Sequence, residues 1–398
     1  MASSACSRRA LEGIDWDFAN VENRGIHLIH WYPATFVSAI PGSLIPMLTN
    51  EGDFVVDPFC GSGATLVEAV RLGRTTHGFD TNPVATLISR AKLAPPQASE
   101  IAVLRDEIRD LAGALPLALA EVDRLSHPNR PELLRWYHLD TFLQLRTIQS
   151  KVESLPAGRL RTAAQCVFSS TLKATSSQGR HYGWVCDNVT PKADEIQAKN
   201  AISSFVEALT AYELAVAELR DDMVRRGIDP SSVERGKTWN VERIDACQGL
   251  RSLAPRVVDA IVTSPPYFGM ADYVKSQRLT FLWNHPDVAE IEGWGDLEDL
   301  REAEIGSRSH RRRTRSPQEY RDYMERFVQV ASGALKKDGV LCVVMGASTA
   351  SRPTGFDMDD AASRCGLERI FSSERDIRVT KRRLRAQLEG ESVVVYKK

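Results

Sequence analysis

The order of apolar and polar positions divides the chain into three stretches. In the first, the continuous apolar run "DFVVDPF" (53–59) predicts a strand buried on both faces. "CGSG" turns the chain, and Leu66, Val67 and Val70 then share one side of a short helix that Gly73 stops. "THGFD" (76–80) predicts a second strand, and "PVATLISRAK" (83–92) a second helix opening on Pro83. Strand alternating with helix predicts an α/β fold with a doubly wound, mostly parallel sheet.

From 99 to about 226 the period becomes helical. Leu104, Ile108, Leu111 and Leu115 step along one face, Phe142, Leu145, Ile148 and Val152 along another, and 191–226 repeats the theme up to Gly227. A polar, glycine-bearing loop with aromatics, "STLKATSSQGRHYGWVCDN" (170–188), sits inside this stretch; it reads equally as a linker between core helices. From Val241 the first pattern returns. "VERIDA", "VVDAIVTS", "GVLCVVMG" (339–346) and "ESVVVYKK" predict strands, and "SPQEYRDYMERFVQVASGAL" a helix. One sheet is therefore expected, carried by 1–98 and 241–398 and interrupted by a mostly helical insertion, 99–240. No internal repeat is visible.

Composition narrows the function classes. The 398 residues are 43% hydrophobic and 26% charged, an ordinary globular balance. A net charge of −1 means that any nucleic-acid surface must be a local patch. No apolar run approaches the roughly 18 residues that span a bilayer. The first residues hold two arginines with no apolar core behind them, so a secretion signal is not expected. Seven cysteines without a C-x-x-C pair argue against zinc and disulfides and for a reducing cytoplasm. No metal and no membrane partner are expected.

Two strand ends carry the candidate chemistry. "VVDPFCGSGAT" places Asp57, Gly61 and Gly63 at a strand-to-helix turn, where glycines let backbone approach a ligand. A dinucleotide fingerprint needs a third glycine where Leu66 stands, and a phosphate-binding loop needs a lysine that is missing. Asp57 would repel phosphate and attract an ammonium or sulfonium. Asp80, ending the next strand, is placed to accept ribose hydroxyls. A ligand with a ribose, no phosphate and positive charge is S-adenosyl-L-methionine. The alternative is a plain connecting turn.

"IVTSPPYFG" (261–269) ends a buried strand on two prolines, which lack N–H donors and fix the backbone in advance. The Ser264 hydroxyl and the Pro265 carbonyl could grip the two hydrogens of an exocyclic amine. Its lone pair would then turn out of the base plane toward a methyl sulfonium. Pro266 stiffens the corner, and Tyr267 offers a face on which a base swung out of a duplex can stack. A tyrosine capping the core after a plain turn is the alternative.

"DPFCGSGAT" together with "TSPPYFG" resembles the DNA amino-methyltransferases. The resemblance implies a Rossmann-like class I methyltransferase fold. It also implies cofactor contacts from Asp57, Pro58, Phe59, Cys60, Gly61, Ser62 and Gly63, and catalysis at Ser264 through Tyr267. "HLIHWYPATFVSAIPGSLI" is similar to the family's additional cofactor-side segment, which carries over to His30, Pro33, Ala34 and Phe36. Asp245 matches the acidic position expected near the adenine. The motif order implies that target recognition lies in 99–240. Serine at the first catalytic position is similar to the cytosine-N4 enzymes, whereas adenine-N6 enzymes more often carry aspartate or asparagine there. Carbon-5 methylation needs a Pro-Cys nucleophile that is missing here. An RNA guanine-N2 enzyme and an idle DNA-binding module remain as rivals.

The expected partners are double-stranded DNA and a cognate restriction endonuclease, in the cytoplasm and at the nucleoid during action on DNA. Arg308, Arg311, Arg312, Arg313 and Arg315 form one cationic cluster after the catalytic motif, and Lys381, Arg382 and Arg383 a second. Both could contact phosphates, or could be solvated charge runs. Lys173 and Arg180 are weaker candidates in the insertion loop.

Overall fold

A computed structural model describes residues 9–19, 21–35, 37–119, 127–178, 190–284, 297–348, 352–376 and 388–398. Seven strands form one sheet: β1 (Phe54–Asp57), β2 (Thr75–Asp80), β3 (Trp239–Arg243), β4 (Val258–Thr263), β5 (Leu335–Ser348), β6 (Glu368–Arg375) and β7 (Leu388–Lys397). Their order is β3-β2-β1-β4-β5-β7-β6. The first five run parallel, and β7 pairs antiparallel with both β5 and β6. This is the expected doubly wound α/β sheet of Rossmann-like type, with an antiparallel edge.

The unbroken apolar runs of β1 and β4 follow from burial on both faces. Val55, Ala260 and Val262 pack with Ile40, Leu44 and Ile45 of the Ala39–Leu48 helix on one side. Val56 and Ile261 pack with Met324, Phe327 and Val328 of the Ser316–Ala334 helix on the other. β7 shows the two-residue period of a strand between layers: Val393 and Val395 join the first cluster, Val394 and Tyr396 the second.

Several boundaries differ from the sequence pattern. "VERIDA" is a strand only to Arg243, because Asp245 caps the next helix, Ala246–Ser252: its Oδ1 accepts from the backbone N–H of Cys247 (3.0 Å) and Gln248 (3.1 Å). β6 gave no signal because it is an edge strand with only two of its eight positions buried. Pro46 inside the Ala39–Leu48 helix hid that element.

The insertion is helical, with long helices Ala98–Leu119, Leu139–Ser154, Arg159–Thr175 and Ala201–Arg225. Its buried residues, among them Phe142, Ile148, Phe205 and Tyr212, share one cluster with Leu66, Val67 and Val70 of the Ala64–Arg71 helix. The Tyr212 hydroxyl donates to the Ala91 carbonyl at 2.8 Å, and Arg71 bonds Asp222 at 2.7 Å. The insertion thus braces the helices behind the first motif.

Candidate active site at the ends of β1 and β4

The order of the strands reverses at the parallel β1–β4 pair, since β2 lies on one side of β1 and β4 on the other. Such a switch point opens a crevice at the carboxyl ends of the strands. Pairing of Val55 with Ala260 and Val56 with Ile261 brings the two motifs out side by side. Thr263 Oγ1 donates to Asp57 Oδ1 at 2.6 Å, and the Phe59 N–H donates to the same oxygen at 3.1 Å. Asp57 is wholly buried, and its Oδ2 has no partner; the Thr65 hydroxyl lies near it without reaching hydrogen-bond geometry. Burial pushes the Asp57 carboxyl up to about 6.

The glycine turn is wired on three sides. Gly61 and Gly63 have φ of +50° and +80°, and a Cβ on Gly63 would lie 2.7 Å from Ser89 Oγ. Ser89 Oγ donates to the Gly61 carbonyl at 2.9 Å, and Lys92 Nζ donates to the Ser62 carbonyl at 2.7 Å. Both come from the Pro83–Leu93 helix, and burial lowers the Lys92 ammonium to about 8. On the open side the Gly61 N–H donates to Asp80 Oδ2 at 2.9 Å, and the Asn82 N–H to Oδ1 at 2.8 Å. Burial raises the Asp80 carboxyl to about 6.

At the end of β4, Ser264 Oγ lies 3.2 Å from the Tyr267 hydroxyl, which donates to the Val344 carbonyl at 3.4 Å. A carbonyl can only accept, so the Tyr267 proton points to Val344 and the Ser264 proton to Tyr267. The Ser264 lone pairs are left free. The Tyr320 hydroxyl donates to the Pro266 carbonyl at 3.0 Å and holds the corner from the Ser316–Ala334 helix.

One cleft of about 980 Å³, part of it open to solvent, joins the two turns. Ser264 and Pro266 form part of its lining, and Pro58, Phe59, Cys60, Gly61, Ser62 and Asp80 another part, with Pro33, Ala34 and Asp245 beside them. Asp245 Oδ2 accepts from the Tyr323 hydroxyl at 2.6 Å. Five expected site residues stand behind this lining rather than in it. Asp57 straps the strands together, Gly63 starts the Ala64–Arg71 helix, and Pro265 is buried. Tyr267 is half-buried with its hydroxyl tethered. His30 is buried too, bonded from Nδ1 to the Trp31 carbonyl (2.6 Å) and from Nε2 to Ser169 Oγ (2.8 Å), which ties the cofactor-side segment to the insertion. Phe36 lies outside the described residues.

Sequence reasoning missed Tyr32, Tyr273, Glu304 and Tyr323, which also line the cleft. Tyr32 and Tyr273 stack with ring centroids 6.1 Å apart at 29°, which gives the cleft a flat apolar face. Spacing gave no signal for them, since each comes from a different loop or helix.

The arginine cluster is fastened to the turn that follows β4. The Gly269 N–H donates to the Gly306 carbonyl at 2.7 Å, the Arg308 N–H to the Ala271 carbonyl at 3.0 Å, and Ser307 Oγ to Asp272 at 2.6 Å. Arg308, Arg312 and Arg315 are exposed and Arg311 partly so, whereas Arg313 forms a two-pronged pair with Glu302 at 2.6 and 2.8 Å. Lys381, Arg382, Arg383 and Arg180 lie outside the described residues. Lys173, exposed at the end of the Arg159–Thr175 helix, stands 4.9 Å over the ring of Trp31, itself 38% exposed. Among the described residues no cluster is arranged to hold a metal, and no helix is long and apolar enough to cross a membrane.

Residues 13–90 match a family model described as DNA methylase. The type II methyltransferase M.MvaI of Kocuria varians is 24% identical over 277 residues, covering 67% of this chain and 59% of that protein. M.MjaII of Methanocaldococcus jannaschii is 34% identical over 86 residues, 20% of this chain and 16% of that protein. The chain therefore spans less than two thirds of the length of these curated relatives. A solved rRNA methyltransferase, aviRa from Streptomyces viridochromogenes, overlays with a TM-score of 0.37 at 12% identity, covering 98% of this chain and 94% of that one, too loose a fit to bear on the reading. The family match and the type II relatives make the chain similar to the DNA amino-methyltransferases, whose methyl donor is S-adenosyl-L-methionine.

Proposed function

We propose that the chain methylates the exocyclic 4-amino group of cytosine in a base flipped out of double-stranded DNA. The observation that carries this is the shared cleft: Ser264 and Pro266 line the same space as Gly61 and Asp80. The residues fit the methyl donor. Asp80 offers acceptor lone pairs beside the Gly61 backbone, and Asp57 holds an unpartnered buried oxygen beneath the turn. Asp80 is assigned to the ribose, Asp245 to the adenine end, and Pro33, Ala34 and the 58–62 backbone to the walls. When bound, the donor supplies an electrophilic methyl group.

The chain's own residues do the rest. Ser264, its proton directed to Tyr267, accepts one amine hydrogen; the second acceptor assigned, the Pro265 carbonyl, belongs to a residue buried directly behind the lining, between Ser264 and Pro266. The amine is thereby turned out of conjugation and aimed, and its surplus proton leaves to water once the methyl group is on nitrogen. Tyr32 and Tyr273 give the cleft an aromatic wall that excludes water. The arginines at 308–315 hold the DNA backbone, and 99–240 takes part in recognising the sequence. The type II names of the relatives support a paired restriction endonuclease, and with it a cytoplasmic, nucleoid-associated site of action. Mass spectrometry of nucleosides from duplex DNA incubated with enzyme and isotope-labelled donor tests the reading. Labelled N4-methylcytosine is expected; N6-methyladenine would overturn the choice of base, and labelling of transfer RNA alone would overturn the DNA substrate.

A further inference from the structure

One wall of the cleft is built by Leu300, Ala303, Glu304 and Ile305. Glu304 is the ionisable group of that wall, and it is held in place. Its Oε1 accepts the Val274 N–H at 2.5 Å, and two residues on the Gly306 carbonyl is bonded to Gly269, just after the catalytic corner. The Tyr32 and Tyr273 hydroxyls are both pushed up by two carboxyls, Asp80 and Glu304, after the effect of burial itself. Glu304 and Asp80 therefore act on the same stacked ring pair, and on the space it borders.

We propose that Glu304 is a charge-sensing wall of the donor pocket, ionised when a cationic ligand fills the cleft and protonated when the ligand is neutral. The inference rests on the reading of the cleft as a methyl-donor site. S-adenosylmethionine carries a fixed sulfonium charge; its product, S-adenosylhomocysteine, carries a neutral thioether. A carboxylate facing the cleft is stabilised by the first and left unpaired by the second. The surroundings permit such a switch. Burial, with Asp272 adding to it, raises the Glu304 carboxyl to about 8, while the Val274 and Tyr273 N–H groups and Arg301 oppose the rise. Lys275 acts on Asp272 rather than on Glu304, and Asp80 faces the same rings. The device favours donor over product and lets the product leave.

Calorimetry in two buffers of unlike ionisation enthalpy, at pH 7, measures protons exchanged per ligand bound. The sulfonium lowers the amino pKa of S-adenosylmethionine below that of S-adenosylhomocysteine, so Glu304→Gln, which keeps an oxygen for the Val274 N–H, supplies the amino group's own proton exchange. With S-adenosylmethionine the wild-type protein is expected to release more protons than this variant, and its donor affinity to rise up to about fivefold more from pH 7 to pH 8. With S-adenosylhomocysteine the two proteins should exchange protons equally, with product binding by the variant as the sign of an intact cleft. Equal proton exchange by the two proteins with S-adenosylmethionine overturns the proposal. A wild-type excess that is as large with S-adenosylhomocysteine overturns the charge sensing. Failure of the wild-type protein to bind either ligand would instead sink the donor-site reading beneath it.

Discussion

Replacing Asp57 by asparagine tests whether the strap between the two motifs is stored cost or stored stability. In the folded chain the carboxyl is wholly buried, and one of its oxygens has no partner. A rise from 3.8 to about 6 corresponds to roughly 3 kcal/mol of penalty on the ionised form. The sign is the reverse of a salt-bridged aspartate. Below about pH 4 the group is neutral in both folded and unfolded chains. As pH climbs toward 6 the unfolded chain ionises first, so stability falls across that window and then stays level.

Asparagine keeps the oxygen that accepts from Thr263 and Phe59 but places an amide where Oδ2 now finds no partner, at a cost of about 1–3 kcal/mol. At pH 4 the variant is therefore expected to be the less stable protein. At pH 7 the two are expected to converge or cross, with the difference between them moving by up to about 3 kcal/mol over the range. Urea unfolding of both proteins at several pH values between 4 and 7.5 measures this. Comparison with the variant is needed because Asp80 and His30 titrate in the same region. A stability difference that stays constant with pH would refute the reasoning. Donor affinity should meanwhile fall at pH 7, since the negative charge under the turn is gone.

Other outcomes follow from the same geometry. Tyr267→Phe removes the acceptor that orients the Ser264 proton, and should lower kcat by about fivefold to tenfold with little change in donor binding; steady-state kinetics with donor titration checks both. Neutralising Arg308, Arg312 and Arg315 should flatten the salt dependence of DNA binding by about 0.9 in log–log slope for each phosphate no longer neutralised. Arg313→Gln should change it less, because its guanidinium is already paired with Glu302. Burial lowers the His30 imidazole to about 4, so the unfolded chain takes up its proton first and stability is lost as pH falls from 6.5 toward 4. His30→Asn should shed that acid-side loss, read from unfolding curves at pH 6.5 and 4.5.

The sequence exposed what is dictated by local rules and hid what depends on assembly. β1 and β4 were visible because a strand covered on both faces has no polar alternation to blur it, and the glycines at 61 and 63 were visible because left-handed φ leaves few other choices. Asp57 was legible as a residue but not as a role. An acid at a strand end reads as a ligand contact, and only the register of β1 against β4 turns it inward onto Thr263. Ser89 and Lys92 hold the turn from a helix whose pattern is simply apolar, so nothing in spacing marks them. Glu304 is the sharpest case. It lies between an acidic helix and an arginine cluster, where one more glutamate carries no information. Its meaning arises when the bonds from Gly269 and Val274 fold that stretch back over the end of β4. The part of the site that binds is thus written in motifs, while the part that would sense charge is written in the contacts between loops, and substitutions at 300–306 should alter discrimination between donor and product more than the chemistry at Ser264.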